Sequence, residues 1–265
     1  MSTEDMKPFY FGEDQSLFGL YHAPQPGQDR DTAVLLCASM GQDYIRAHRA
    51  NRQLAVRLAR AGFPVMRFDY YASGDSAGED SEVSITRWQA DISTAIAELK
   101  RRSGVSKVSL IGMRLGATLA ALVGAQRGDT PRLVAWEPLV NGNEFVKELI
   151  ERHEERLRYF LTKPAAEAEH QKRTELLGFA VTELLFNELR QIDLLALRQK
   201  PSQNILVIES EALPQTAKFQ SHLESLGAKS QYQLVEGPRI WTEDPDKALV
   251  PQQVLQAIMN WITTS

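Results

Sequence analysis

Apolar positions in this chain recur at two spacings, and the alternation between them sets out a series of strands and helices. Thr32–Cys37 is a continuous apolar run of strand length, the mark of a strand covered on both faces. Phe63–Phe68 is a second buried strand, and Val108–Ile111, Leu133–Trp136, Asn204–Ile208 and Gln231–Val235 are further strands. Phe9–Phe11 and Leu17–Tyr21 are two short strands separated by the polar turn Gly12-Glu13-Asp14-Gln15. Between these runs the spacing becomes helical. A helix is expected from about Ala47 to Ala61, with Leu54, Val56, Leu58 and Ala59 on its apolar side and Gly62 as its stop. Ser84–Arg102 carries Ile85, Trp88, Ile92, Ala95, Ile96 and Leu99 on one face. Leu115–Ala125 is apolar nearly all round, so it should lie buried against a sheet. Thr216–Leu226 and Pro251–Ile262 complete the set, Pro251 suiting a first-turn position.

From Asn143 to about Leu197 the pattern changes. Phe145, Val146, Leu149, Ile150, Leu157, Phe160 and Leu161 mark one helix, followed by a charged stretch from Lys163 to Arg173. Leu176–Leu185 and a helix near Glu188–Leu197 come next. This block reads as a helical cap, residues 143–197, inserted into a core made of residues 1–142 and 198–265. Strands alternating with helices predict an α/β architecture, a mostly parallel sheet with helices on both faces. Ligands bind such sheets at the carboxyl ends of the strands. Five loops would meet there: Ala38–Tyr44, Asp69–Gly78, Gly112–Gly116, Glu137–Gly142 and Glu209–Pro214.

Composition narrows the class of partner more than the fold. The 265 residues carry a net charge of −4, which gives no reason to expect nucleic acid or an anionic membrane. The single cysteine, Cys37, allows no internal disulfide and is compatible with a reducing compartment. The start, Met1-Ser2-Thr3-Glu4-Asp5-Met6, is acidic and lacks the apolar core of a signal peptide, and no apolar run is long enough for a membrane span. A cytoplasmic protein is expected. No zinc pattern or glycine-rich phosphate loop appears, so neither a metal nor a cofactor is expected.

The chemistry turns on Gly112-Met113-Arg114-Leu115-Gly116. A strand runs into a glycine-flanked turn and then a small-residue helix, the setting of the G-x-S-x-G nucleophile elbow, but with arginine at the centre. Together with the Arg67–Gly78 loop (Arg-Phe-Asp-Tyr-Tyr-Ala-Ser-Gly-Asp-Ser-Ala-Gly) and the helical insertion, this elbow makes the chain resemble an α/β-hydrolase from about Phe9 to Ile262. More narrowly it resembles the serine-aminopeptidase-like hydrolases and, within them, the exosortase-system-associated group. That resemblance rests on Leu36-Cys37, the run Met40 to Ala50, the elbow, and Trp136-Glu137-Pro138-Leu139-Val140-Asn141-Gly142. Such a hydrolase needs a nucleophile at the elbow, then an acid, then a histidine. Arg114 cannot serve as an ordinary nucleophile, because arginine stays protonated in proteins. Glu137, Glu209 or Glu211 would supply the acid. No histidine follows His222, whereas one would be expected in Glu236–Trp241. With two of three members missing, Ser-His-acid hydrolysis is not expected.

Arg114 supports two readings. In one, its guanidinium stands in the crevice beside Met113 and a helix amino terminus and binds the anionic group of a ligand. In the other, it is tied to Glu137 or Glu211 and fills a former active site. Asp43, in the same loop as Tyr44, is a third candidate partner. Ser39 and Cys37 are the remaining nucleophile candidates, with His48 as a base nine residues after Ser39. Asp69, Ser73, Asp75 and Ser76 are expected to build turns. Trp241 either closes the pocket floor or belongs to the core. His22, His153 and His170 look incidental, with His153 on a solvated helix face. Three functions follow. The first is a serine-less homologue holding an acyl or anionic ligand, free or carrier-linked, through Arg114. The second is an ester or thioester hydrolase or acyltransferase built on Ser39, His48 and an acid. The third is an interaction protein whose cap helices join two copies.

Overall fold

The computed structural model describes residues 6–160, 175–241 and 249–264. Among them, eight strands form one sheet in the order β1-β2-β4-β3-β5-β6-β9-β10. These are β1 (Met6–Phe11), β2 (Leu17–His22), β3 (Thr32–Cys37), β4 (Val65–Phe68), β5 (Lys107–Met113), β6 (Arg132–Trp136), β9 (Asn204–Glu209) and β10 (Lys229–Leu234). From β4 to β10 the pairings are parallel, and β1 and β2 add an antiparallel edge. Helices α1 (Gly41–Arg60), α2 (Ile85–Ser103), α3 (Leu115–Arg127), α6 (Pro214–Ser225) and α7 (Gln252–Thr263) surround this sheet. The expected α/β architecture is therefore present.

Alternation along each strand divides the core in two. Val34, Leu36, Ile111, Val134 and Leu206 pack with Leu54 and Leu58 of α1 and with Leu255 and Ile258 of α7. Their neighbours Leu35, Leu110, Leu133 and Val207 face Ile92 and Leu99 of α2 and Leu119 of α3 on the other side. The continuous apolar runs of the middle strands follow from this double cover.

Three segments depart from expectation. Helix α1 starts at Gly41, inside the expected Ala38–Tyr44 loop, which lifts Asp43 and Tyr44 onto its first turn. Its first turn buries Asp43 and exposes Ile45, and its next inward residues are alanines, so apolar spacing does not mark the start. The expected helix near Glu188–Leu197 is instead α5 (Glu183–Arg190) followed by a 3-10 turn at Leu194–Ala196. Thr182 caps α5 by accepting from the Leu185 N–H, and Asp193 caps the next turn through the Leu195 N–H, so the chain restarts between them. His153, expected on a solvated face of α4 (Gly142–Phe160), is buried. The hairpin of β7 (Glu175–Leu176) and β8 (Phe179–Ala180) meets it there, and His153 Nδ1 accepts from the Leu177 N–H at 3.1 Å. The charged stretch Lys163–Arg173, and His170 with it, lies outside the described residues.

His22, expected to be incidental, ends β2 fully buried, and its Nε2 accepts from Arg67 Nε at 3.3 Å. Burial first, then the charges of Arg67 and Arg52, lower its pKa from 6.5 to about 4. Between those values the unfolded chain binds a proton there that the folded chain refuses. The contribution of neutral His22 is thus complete above pH 6.5 and is lost as pH falls toward 4. His22→Gln is expected to flatten the fall in urea midpoint between about pH 7 and about pH 4.5.

Candidate functional site

The turn at Arg114 has a tightly bent backbone between a strand and a helix. Strand β5 ends at Met113, Arg114 takes φ 53° and ψ −124°, and α3 starts at Leu115. Residues other than glycine rarely adopt that combination, and it persists only where neighbours fix it. Here the Arg114 N–H donates to the Trp136 carbonyl at 2.9 Å, and its own carbonyl accepts from the Ala117 N–H at 3.0 Å. The flanking glycines are steric requirements. A Cβ on Gly116 would lie 2.3 Å from the Cys37 carbonyl oxygen, and one on Gly112 would lie 2.4 Å from the Ala117 nitrogen.

Arg114 is buried and paired with two acids. Its Nε donates to Asp43 Oδ2 at 3.3 Å, and its Nη2 donates to Glu148 Oε1. Arg152 reaches the same two acids, with both terminal nitrogens 3.1 Å from Asp43 Oδ1 and Nη1 3.5 Å from Glu148 Oε1. Two guanidinium groups and two carboxylates therefore form one neutral network. Side-chain exposure is 6% for Arg114 and 3% for Asp43, but 35% for Glu148, which is the open corner. Burial works against the Arg114 charge; Asp43 and Glu148 outweigh it and hold its pKa above the ordinary arginine value.

Trp241 is buried, with its ring 5.4 Å from the Arg114 guanidinium carbon. It meets Trp136 edge-on at 6.4 Å, and its carbonyl accepts from Arg46 Nη1 and from Arg152 Nη2. The Nε1 donors of both tryptophans are buried without an acceptor among the described residues.

Of the expected Arg114 partners, only Asp43 is present. Glu137 is buried at the end of β6, where its Oε1 accepts from the Ser210 N–H at 2.7 Å and from the Ser210 hydroxyl. Glu211 points outward and pairs with Arg239 at 2.8 Å. The reason is sheet geometry: these acids lie just beyond β6 and β9, whereas α1 and α4 supply the groups that close over the elbow. Met113 is a core residue among the tryptophans. Tyr44 turns away from the elbow, its hydroxyl donating to Asp69 Oδ1 at 2.8 Å.

The structure does not join Ser39 to His48. Ser39 is buried, its hydroxyl has no hydrogen-bond partner among the described residues, and His48 is on the exposed side of α1. Burial pushes the Cys37 thiol pKa up, away from a reactive thiolate. Glu209, fully buried, holds Thr216 and Tyr232. Burial raises its pKa, partly offset by these hydrogen bonds, with Glu137 adding to the rise.

Glu148 and Arg152 were not among the expected site residues. The signal for them lies in the α4 spacing. Positions 145, 148, 149 and 152 share one helix face, so a charged pair interrupts the stripe begun by Phe145 and Leu149. Among the described residues no helix is long and apolar enough to cross a membrane, and no cluster of metal-ligating side chains occurs.

Residues 28–177 match the family model described as serine aminopeptidase, S33. No curated protein matches the chain. Among solved structures, Est1E from Butyrivibrio proteoclasticus superposes with a TM-score of 0.66 at 14% identity, covering 96% of this chain and 97% of that one. An esterase from Pyrococcus furiosus gives 0.65 at 14% identity, over 97% and 91%. A lidless α/β serine hydrolase from Xanthomonas campestris gives 0.59 at 14% identity, over 99% and 95%. At such identities the structures speak for the fold, while the family match spans more than half of the chain; this protein belongs to the serine aminopeptidase family of the α/β hydrolases.

Proposed function

We propose that this chain is a non-hydrolytic member of its family that binds an acyl ligand with an anionic group, free or carrier-linked, over the elbow. The observation that carries this reading is Arg114 itself. A permanent cation occupies the nucleophile position, and Trp241 lies against it in the loop that should bring a base. Glu148 marks the binding place. Its half-exposed carboxylate occupies the outer side of Arg114, and a ligand carboxylate that replaces it leaves the charge count of the network unchanged. The Trp241 ring lies against Arg114, and its N–H, without an acceptor among the described residues, favours a ligand with an acceptor oxygen.

Purified protein is expected to leave p-nitrophenyl esters and acyl thioesters uncleaved, and Arg114→Ser is expected to leave them uncleaved too. The serine would sit on a correctly bent backbone, but no histidine is in the Trp241 loop to take its proton. Turnover by the wild-type chain sinks the non-hydrolytic reading, and turnover by the variant alone shows that a base is within reach. Native mass spectrometry of protein from its own host tests the ligand. An acyl species retained by the wild type and lost on Glu148→Arg supports the elbow site, and retention unchanged by that variant rejects it.

A further inference from the structure

Two arginines are buried among the described residues, and they differ in how they are compensated. Arg114 has a carboxylate on each side. Arg67, on β4 and only 8% exposed, has none within ion-pair distance among the described residues. Its Nε is spent on the neutral ring of His22, its Nη2 has only the Met6 sulfur at 3.9 Å, and its Nη1 has no partner among the described residues. Burial works against this charge, and Asp69 offsets it only from beyond ion-pair distance.

Arg67 lines a cavity of about 270 Å³ on the α1 side of the sheet. Phe18 and Leu20 of β2 and Leu36 of β3 form apolar walls, and His48 lines it from α1. The first turn of α1 separates this space from the elbow, since Asp43 turns to Arg114 and Tyr44 to Asp69. Two carboxylates also line the cavity. Asp69 is committed through both oxygens, to the Tyr44 hydroxyl at 2.8 Å and the Asp75 N–H at 3.0 Å. Asp75 is exposed to water.

We propose that this cavity is a second binding site, for a small monocarboxylate whose head pairs with Arg67 and whose apolar body lies against Phe18, Leu20 and Leu36. The size suits a short chain, since the volume lies just below the usual range of ligand pockets. With Asp69 and Asp75 also lining the cavity, a second negative charge on the ligand would meet only repulsion, so a dianion is disfavoured. The site does not depend on the elbow reading, because it shares no residue with that network.

His48 reports on the site. Burial first, then the Arg67 charge, lowers its pKa, so a carboxylate placed on Arg67 should raise it. Valerate titrated into the full chain is expected to shift the His48 ring resonance saturably and to move its titration to higher pH. Arg67→Gln should weaken this about tenfold or more, the loss that goes with a charge-assisted hydrogen bond. Leu20→Trp, which fills the cavity and keeps Arg67, should abolish it, so the test survives if Arg67→Gln fails to fold. Glu148→Arg should leave it intact, which separates this site from the elbow. The proposal is overturned if valeramide acts as strongly as valerate, if inorganic phosphate binds more tightly, or if Leu20→Trp leaves the response unchanged.

Discussion

Asp43→Ala is expected to lower folding stability by about 3–5 kcal/mol, the range for removing one member of a buried ion pair. Asp43 is the node of the elbow network, with Arg114 on one oxygen and Arg152 on the other. Its removal leaves Glu148 as the only carboxylate for two guanidinium groups, in a space from which Trp241 and Phe145 help exclude water. The destabilisation comes from the stranded charges rather than from lost attraction. The double variant Asp43→Leu/Arg114→Met should therefore be more stable than Asp43→Ala, because well-packed apolar pairs replace buried ion pairs at little cost. Urea unfolding of the three proteins checks this through the midpoint at constant slope. A double variant no more stable than the single one would show that the network is not the source of the effect.

Trp241→Ala is expected to lower stability by about 3–5 kcal/mol, the usual range for truncating a buried tryptophan. The ring is 1% exposed and packs edge-on against Trp136, a contact worth about 0.5–1.5 kcal/mol beyond its area. Its backbone carbonyl, which holds Arg46 and Arg152, is unchanged by the substitution. Trp241→Phe keeps an aromatic face toward Arg114 and should recover much of the loss. Denaturant midpoints for the two variants decide this, and equal losses would mean that the edge contacts of the indole, not its bulk, are what matter.

The central strands were legible because both of their faces are covered. Thr32–Cys37 is a strand over the expected residues, and the elbow follows β5 as the glycine spacing predicts. Helix α2 was equally clear, with Ser84 as its cap. The site was only half legible. Arg114 and Asp43 stand out because each occupies a position where the family resemblance gives a particular residue meaning. The α4 spacing shows that Glu148 and Arg152 interrupt an apolar face, but what they meet is settled only when α4 folds down over the elbow. Glu137 and Glu211 look suitable in sequence because they end strands near the crevice. Glu137 instead turns to Ser210, and Glu211, in the bend two residues past β9, faces Arg239 outside. Arg67 lies in a strand whose apolar run reads as covered on both faces, and its place becomes visible only with the cavity beside α1.

The elbow network also orders events in time. The Asp43 contacts to Arg114 and Arg152 span 71 and 109 residues of chain. Contacts that close such long loops cannot form before the sheet that brings their ends together. The charges at the elbow therefore lock only onto a sheet that is already assembled. They fasten the finished molecule against opening, and the speed of its assembly is set by the apolar strands beneath them.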